Sequence, residues 1–245
     1  MDSMNLKCCD CLSDEGICSL ENSSIDMVLC DPPFGVLARE EWDKKLDLEI
    51  LFRELERVTK PNAAVVFFSS GIFTAELMMG PWKKWFRYDL IWEKNKPRGV
   101  LNSKKMPLRQ HENILVFYRK LPKYSPQMRE GFEPIHACKR KATSGHYGEG
   151  KGGKNEREGK TDRYPTSILK FSVVNKPIHP TEKPVPLLEF LIKSFTEKGA
   201  TVMDMCFGSA STAEACIKTN RKFTGFEMNQ EFYEKGRERI EALLV

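Results

Sequence analysis

Residues 25–30, Ile25-Asp26-Met27-Val28-Leu29-Cys30, run straight into Asp31-Pro32-Pro33-Phe34. A short, almost unbroken apolar run lacks the alternation of a half-exposed strand. It reads as a strand of a parallel sheet covered on both faces. Two prolines cannot continue a central strand. The strand therefore ends at Asp31 and leaves a carboxylate, a stiff turn and an aromatic ring at its C-terminal edge, where open α/β sheets bind ligands. An acceptor carboxylate, an inflexible backbone carbonyl and a stacking ring suit a planar ring bearing an amine, such as a nucleobase taken out of its stack. A strand-ending turn with a capping Asp is the plain alternative.

The rest of the chain organises around that strand. Met4 to Cys9 reads as a short strand, followed by Asp10-Cys11-Leu12. Glu49 to Val58 has helical spacing, broken by Lys60-Pro61-Asn62, and Ala63 to Phe68 is a second buried strand. Arg87 to Trp92 and Asn113 to Tyr118 add two strands, giving half of a doubly wound sheet with a hairpin at its edge. Pro184 to Thr196 is helical, with two prolines suited to a first turn. Thr201 to Cys206 reads as a strand, Ser209 to Thr219 as a helix, Lys222 to Glu227 as a strand and Gln230 to Leu244 as an amphipathic helix.

Charge is unevenly spread. Residues 94–163 hold 18 Lys plus Arg against 7 Asp plus Glu, and the remainder holds 21 against 27. A basic middle in a chain of net charge +5 points to a polyanion-binding face. Cys138 to Asp162 carries six glycines, many charges and almost no aliphatic residues, so it is expected to be mobile and to order on phosphates. No apolar stretch approaches a membrane span, and the N-terminus lacks the pattern of a secretory signal, so a cytoplasmic location is expected. Cys8, Cys9, Cys11 and Cys18 have no paired two-residue spacing and no nearby His; they read as reduced, packed thiols rather than metal ligands.

A second chemical segment lies near the C-terminus. Val202-Met203-Asp204-Met205-Cys206-Phe207-Gly208-Ser209-Ala210-Ser211-Thr212 is a strand, a tight turn and a helix, and the next strand ends in Gly225-Phe226-Glu227. The turn lets backbone approach a ligand, and an acid at the next strand end accepts from ribose hydroxyls. Asp204 repels a pyrophosphate but attracts an ammonium. A ligand with ribose, adenine and a cationic amino-acid tail fits: S-adenosylmethionine.

Through these segments the chain resembles the β-class of amino-methylating DNA methyltransferases, most closely the adenine-N6 type found in phages and bacteria. The likeness also runs through Asn102 to Glu112, Ile114 to Tyr118 and His179-Pro180-Thr181-Glu182-Lys183-Pro184, in the order of that class. It implies a Rossmann-like S-adenosylmethionine-dependent methyltransferase fold, an α/β doubly wound, mostly parallel sheet with a hairpin edge. It implies a catalytic half over 1–122, a basic target-recognition insertion over 123–170 and a cofactor-binding half over 171–245. Asp31 and the Pro32 carbonyl would accept from the target amine, Pro33 would stiffen the turn and Phe34 would stack on the flipped base. Asp10, Cys11, Asp31, Thr181, Lys183, Asp204, Phe207, Gly208, Ser209, Ala210, Thr212, Glu227 and Met228 would surround S-adenosylmethionine, with Lys183 and Thr181 beside its tail. Lys104, Lys105, Arg109, Lys139, Arg140 and Lys141 would meet DNA, expected to be double-stranded; a homodimer is left open.

Two departures stand out. Ala210 replaces a glycine of the family turn, which narrows access to positive φ and bears on cofactor binding. Phe34 stands where Tyr is commoner. The alternatives are cytosine-N4 methylation, for which Ser is commoner than Asp at position 31, RNA adenine methylation, and a catalytically silent DNA-binding subunit.

Overall fold

A computed structural model describes residues 3–35, 44–136 and 157–244. Its first compact unit comprises Met1–Ser125 and Ser167–Val245, and its second Pro126–Thr166.

The first unit is built on one sheet. Its strands are β1 (Met4–Cys8), β2 (Ile25–Cys30), β3 (Thr59–Ser69), β4 (Phe86–Arg98), β5 (Arg109–Phe117), β6 (Ile168–Lys170), β7 (Thr201–Asp204) and β8 (Lys222–Glu227). Their order is β1-β8-β7-β2-β3-β5-β4-β6. All neighbours are parallel except β3·β5 and β4·β5. The hairpin is present, but the outermost strand is β6, three residues long and parallel to β4. A strand that short carries too little periodicity to be read from sequence.

Alternation along the central strands sends side chains to two separate cores. Met27, Leu29, Val66 and Phe68 face one layer, with α3 (Val185–Phe195) and α4 (Ser211–Lys218). Val28, Cys30, Val65 and Phe67 face the other, with α1 (Leu48–Val58) and α2 (Ile72–Met79). Each fully buried side chain of this size contributes about 1.5–3 kcal/mol. Asp47 caps α1 by accepting from the Glu49 and Ile50 amides at 2.9 and 3.1 Å.

Two local expectations change. The Lys60-Pro61-Asn62 segment ends α1 but does not separate it from β3, which begins at Thr59. The register with β2 slips instead, from Ile25↔Thr59 to Met27↔Ala64, and this irregularity accommodates the proline. β4 and β5 also outrun their apolar cores, because strand pairing continues through the polar stretch to Arg98↔Arg109.

The second unit is small and rich in arginine. Its described residues join by an antiparallel bridge, Arg129↔Arg163. The Arg129 and Arg163 guanidinium groups lie 5.2 and 5.3 Å from the centre of the Phe132 ring. Most of the segment expected to be mobile, residues 137–156, lies outside the described residues.

Candidate active site

Several chain segments converge at the C-terminal edge of the first unit's sheet. β2 delivers Asp31-Pro32-Pro33-Phe34, and β7 delivers Asp204 beside it, because Met27↔Val202 and Val28↔Met203 pair the two strands. β8 ends on Glu227, and Asp10 and Cys11 follow β1. Together with the loop before α3, these segments enclose a cavity of about 170 Å³.

Asp31, Pro32, Pro33 and Phe34 line it, as do Asp10, Cys11, Thr181 and Lys183. So do Asp204, Phe207, Gly208, Ser209, Thr212, Glu227 and Met228. Ala210 does not line it; it is fully buried in the turn. Lys104, Lys105 and Arg109 stand away from the wall, at the β4–β5 hairpin, and Lys139, Arg140 and Lys141 lie outside the described residues.

Around Asp31 the cavity carries a chain of alternating charges. Lys183 Nζ donates to Asp31 Oδ2 and, at 3.2 Å, to the Thr181 carbonyl. It also sits 3.5 Å from Glu112 Oε2, whose other oxygen pairs with Lys94. Burial drives the Asp31 carboxyl up to about 6; Lys183 opposes the rise and Glu112 adds to it. Burial also favours the neutral forms of Glu112 and Lys183, yet the opposite charges outweigh it. Glu112 is held below its usual value and Lys183 above its own. Lys183 thus remains an ammonium, and it sits on Asp31. The remaining oxygen, Asp31 Oδ1, is buried without a hydrogen-bond partner among the described residues. An orphaned buried acceptor costs about 1–3 kcal/mol, so the site holds a vacant demand for a donor.

The other half of the cavity carries two buried carboxylates, Asp204 and Glu227, that form no ion pair with a basic side chain among the described residues. Asp204 accepts from Thr212 Oγ1 at 2.7 Å and from the Cys206 amide at 3.2 Å, and burial raises it to about 6. Glu227 accepts from the Gly208 and Asn229 amides at 2.9 and 2.8 Å, and burial raises it as well. Each carboxylate oxygen retains acceptor capacity. Such a pair invites hydroxyls and an ammonium and excludes phosphates, the donor set of ribose and an amino-acid tail. Asp10 Oδ1 fixes its own turn by accepting from the Leu12 amide at 2.9 Å. His179, whose ring packs edge-on to Phe232 at 4.2 Å, is lowered to about 4 by burial and then by Lys183, so it is neutral at pH 7.

The turn between β7 and α4 has the expected shape through an unexpected residue. Ala210 takes φ +57 as the residue before α4. Left-handed backbone at a non-glycine costs about 1–2 kcal/mol. A side chain on Gly236, in α5 (Gln230–Leu244), would start 3.1 Å from the Ala210 methyl, so bare backbone there lets α5 close on the turn.

Four contributors were not singled out from sequence. Lys94 shares a face with Trp92, and Trp92↔Glu112 are register partners, so a careful alternation count along both arms would have paired Lys94 with Glu112. Phe73 stacks on Phe34 at 5.2 Å, but its helix α2 has apolar residues on all sides and hence no helical period to read. Glu182 and Arg239 complete the four. Arg239 Nη1 donates to Glu182 at 2.7 Å and to the Ser209 carbonyl at 3.1 Å, while its Nε reaches Glu214 at 2.6 Å. Long-range pairs of this kind leave no local signal. Among the described residues no cluster of metal-ligating side chains gathers, and no helix is long and apolar enough to cross a membrane.

Comparison with known proteins gives consistent likenesses. The profile of a DNA methylase family, N6_N4_Mtase, matches residues 25–238. The type II methyltransferase M.BglII of Bacillus subtilis is 25% identical over 87% of the chain. The chain spans 29% and 62% of the lengths of the first two curated relatives it matches. The crystal structure of an M1.HpyAVI–SAM complex superposes with a TM-score of 0.65, at 21% identity, over 96% of this chain and 99% of that one. The cytosine-N4-specific PvuII DNA methyltransferase reaches 0.71 at 17% identity, over 97% of this chain and 86% of that one.

Proposed function

The chain belongs to the N6/N4 DNA methylase family, and from that premise we propose that it moves the methyl group of S-adenosylmethionine onto the exocyclic amine of a DNA base, adenine N6 in preference to cytosine N4. The observation that carries this reading is the buried, unpartnered Oδ1 of Asp31 at the mouth of β2.

An exocyclic amine is a weak nucleophile because its lone pair is delocalised into the ring. Asp31 Oδ1 accepts one of its N–H bonds and the Pro32 carbonyl the other, which favours a pyramidal nitrogen. Lys183 occupies Oδ2 and so leaves Oδ1 to the amine. The Asp31 carboxyl, held near 6, is an anion at neutral pH and basic enough to take the proton released from the methylated nitrogen. Phe34, braced by Phe73, offers a stacking face. Bound S-adenosylmethionine supplies an electrophilic methyl group. Asp204 would hold its ammonium, Glu227 its ribose hydroxyls, and the Phe207-Gly208-Ser209 turn would pack along it. The rest of catalysis is positioning.

Asp rather than Ser at position 31 supports adenine. The fold likeness to a cytosine-N4-specific enzyme supports the second reading. The basic insertion over 123–170 is the proposed target-reading part, set in sequence between a proposed catalytic half over 1–122 and a proposed cofactor half over 171–245; it overlaps the compact unit Pro126–Thr166. Mass spectrometry of digested product DNA decides the base: N6-methyladenine is expected, and N4-methylcytosine alone would overturn the preference. Absence of either base from DNA incubated with protein and S-adenosylmethionine would sink the activity itself.

A further inference from the structure

The β4–β5 hairpin reaches well past the sheet edge that carries the cavity. β3 stops at Ser69, opposite Asn113, while the arms continue to Arg98↔Arg109. Glu112 lines the cavity, so at about 3.3 Å per residue the arm places Arg109 roughly 10 Å beyond it. Arg109 is braced there by donating to Ser70 Oγ at 2.5 Å.

The tip inverts the usual rule for exposed turns. It begins with Gly99 in the left-handed region, φ +90, and continues through a 3-10 turn, Val100–Asn102. Leu101 is 100% exposed, and Val100 and Met106 are exposed by 67% and 59%. Lys94 at the base pairs with Glu112, but residues 95–111 contain five Lys and Arg and no Asp or Glu. An apolar point set among this excess of cations matches a partner with an anionic rim and an apolar interior. Stacked bases between two phosphate backbones have that composition.

We propose that this hairpin tip is a wedge, with Leu101 at its point, that enters duplex DNA beside the target nucleotide and occupies stacking space vacated when the base leaves the helix. Lys104 and Lys105 hold the adjoining phosphates. The inference rests on the methyltransferase reading and adds to it a device for extruding the base.

The test compares two duplexes with wild-type protein and a Leu101→Ser variant, with Val100→Ser as a second variant. One duplex pairs the target adenine normally; the other mismatches it, which lowers the cost of extrusion. On the paired duplex the Leu101→Ser variant should lose about tenfold or more in kcat/KM, and on the mismatched duplex the loss should shrink to within about threefold. Affinity for S-adenosylmethionine and the oligomeric state should not change. Equal losses on both duplexes, or none on either, would overturn the wedge while leaving the methyltransferase intact. A variant that loses activity together with a change of oligomeric state would assign the tip to self-association and also overturn it. If wild-type protein methylates neither duplex nor any other DNA, the activity reading fails and the wedge falls with it.

Discussion

Asp31 carries two consequences that point in opposite directions along the pH axis. Its carboxyl is raised from 3.8 to about 6 by burial, against the pull of Lys183. If the anion is the working form, kcat at saturating cofactor should fall on the acid side with a midpoint near 6. Stability moves the other way. A carboxyl with a raised folded value contributes stability fully below 3.8 and loses it as pH rises through about 6. The acid limb of kcat therefore cannot be ascribed to this group unfolding the protein. Asp31→Ala should abolish transfer and leave cofactor affinity within a few-fold; turnover above a tenth of wild type would remove Asp31 from the mechanism. Glu112→Gln removes a charge that raises Asp31 and frees Lys183 to pair with it more fully. The acid midpoint should move below 6, and the stranded Lys94 should cost about 3–5 kcal/mol in chemical denaturation. At this scale Asp31 was legible, because prolines fix where its strand ends. Lys183 was read as part of the site but assigned to the cofactor tail; its ammonium sits on Asp31, a contact across 152 positions that no local pattern encodes.

Elements were legible where a period was long and one-sided. β8 and α5 have the spans expected from sequence, and α3 differs by a residue at each end. α2 and β6 went unseen, the first for lack of a polar face and the second for its length. What joins the loop before α3 to the β7–α4 turn is Arg239 of α5, set between Glu182, Glu214 and the Ser209 carbonyl. The Glu182 side chain is 3% exposed, so losing its cation leaves a buried charge. Arg239→Ala should destabilise the protein by about 3–5 kcal/mol and weaken cofactor binding, because both the loop before α3 and the β7–α4 turn lose an anchor. Adding Glu182→Gln should restore part of the stability in a double-mutant cycle; strictly additive losses would show that the two do not interact.

Across the whole molecule, the charge map read from sequence matters more than the net +5. The excess lies in residues 94–163, which include the hairpin tip and the unit Pro126–Thr166. Neutralising Lys139, Arg140 and Lys141 together should weaken DNA binding while sparing cofactor affinity. Each lost phosphate contact should flatten the log–log salt dependence by about 0.9. An unchanged slope would remove these three residues from the DNA contact and leave it to the hairpin segment from Lys94 to Arg109. The overall architecture was readable because buried parallel strands announce themselves as apolar runs. The sheet order was not, since β2 lies between β3 and β7, one a near neighbour in sequence and the other more than 170 residues away.

That strand order also sets a timing. β2 and its Asp31 turn are made early in synthesis, yet the neighbour that completes the cavity, β7, exists only from residue 201 onward. A chain cut short anywhere between them carries one rim of the cavity without the opposite one. Under the proposed reading, a chain that ends before β7 lacks Asp204 and Glu227 and has no completed pocket in which to work.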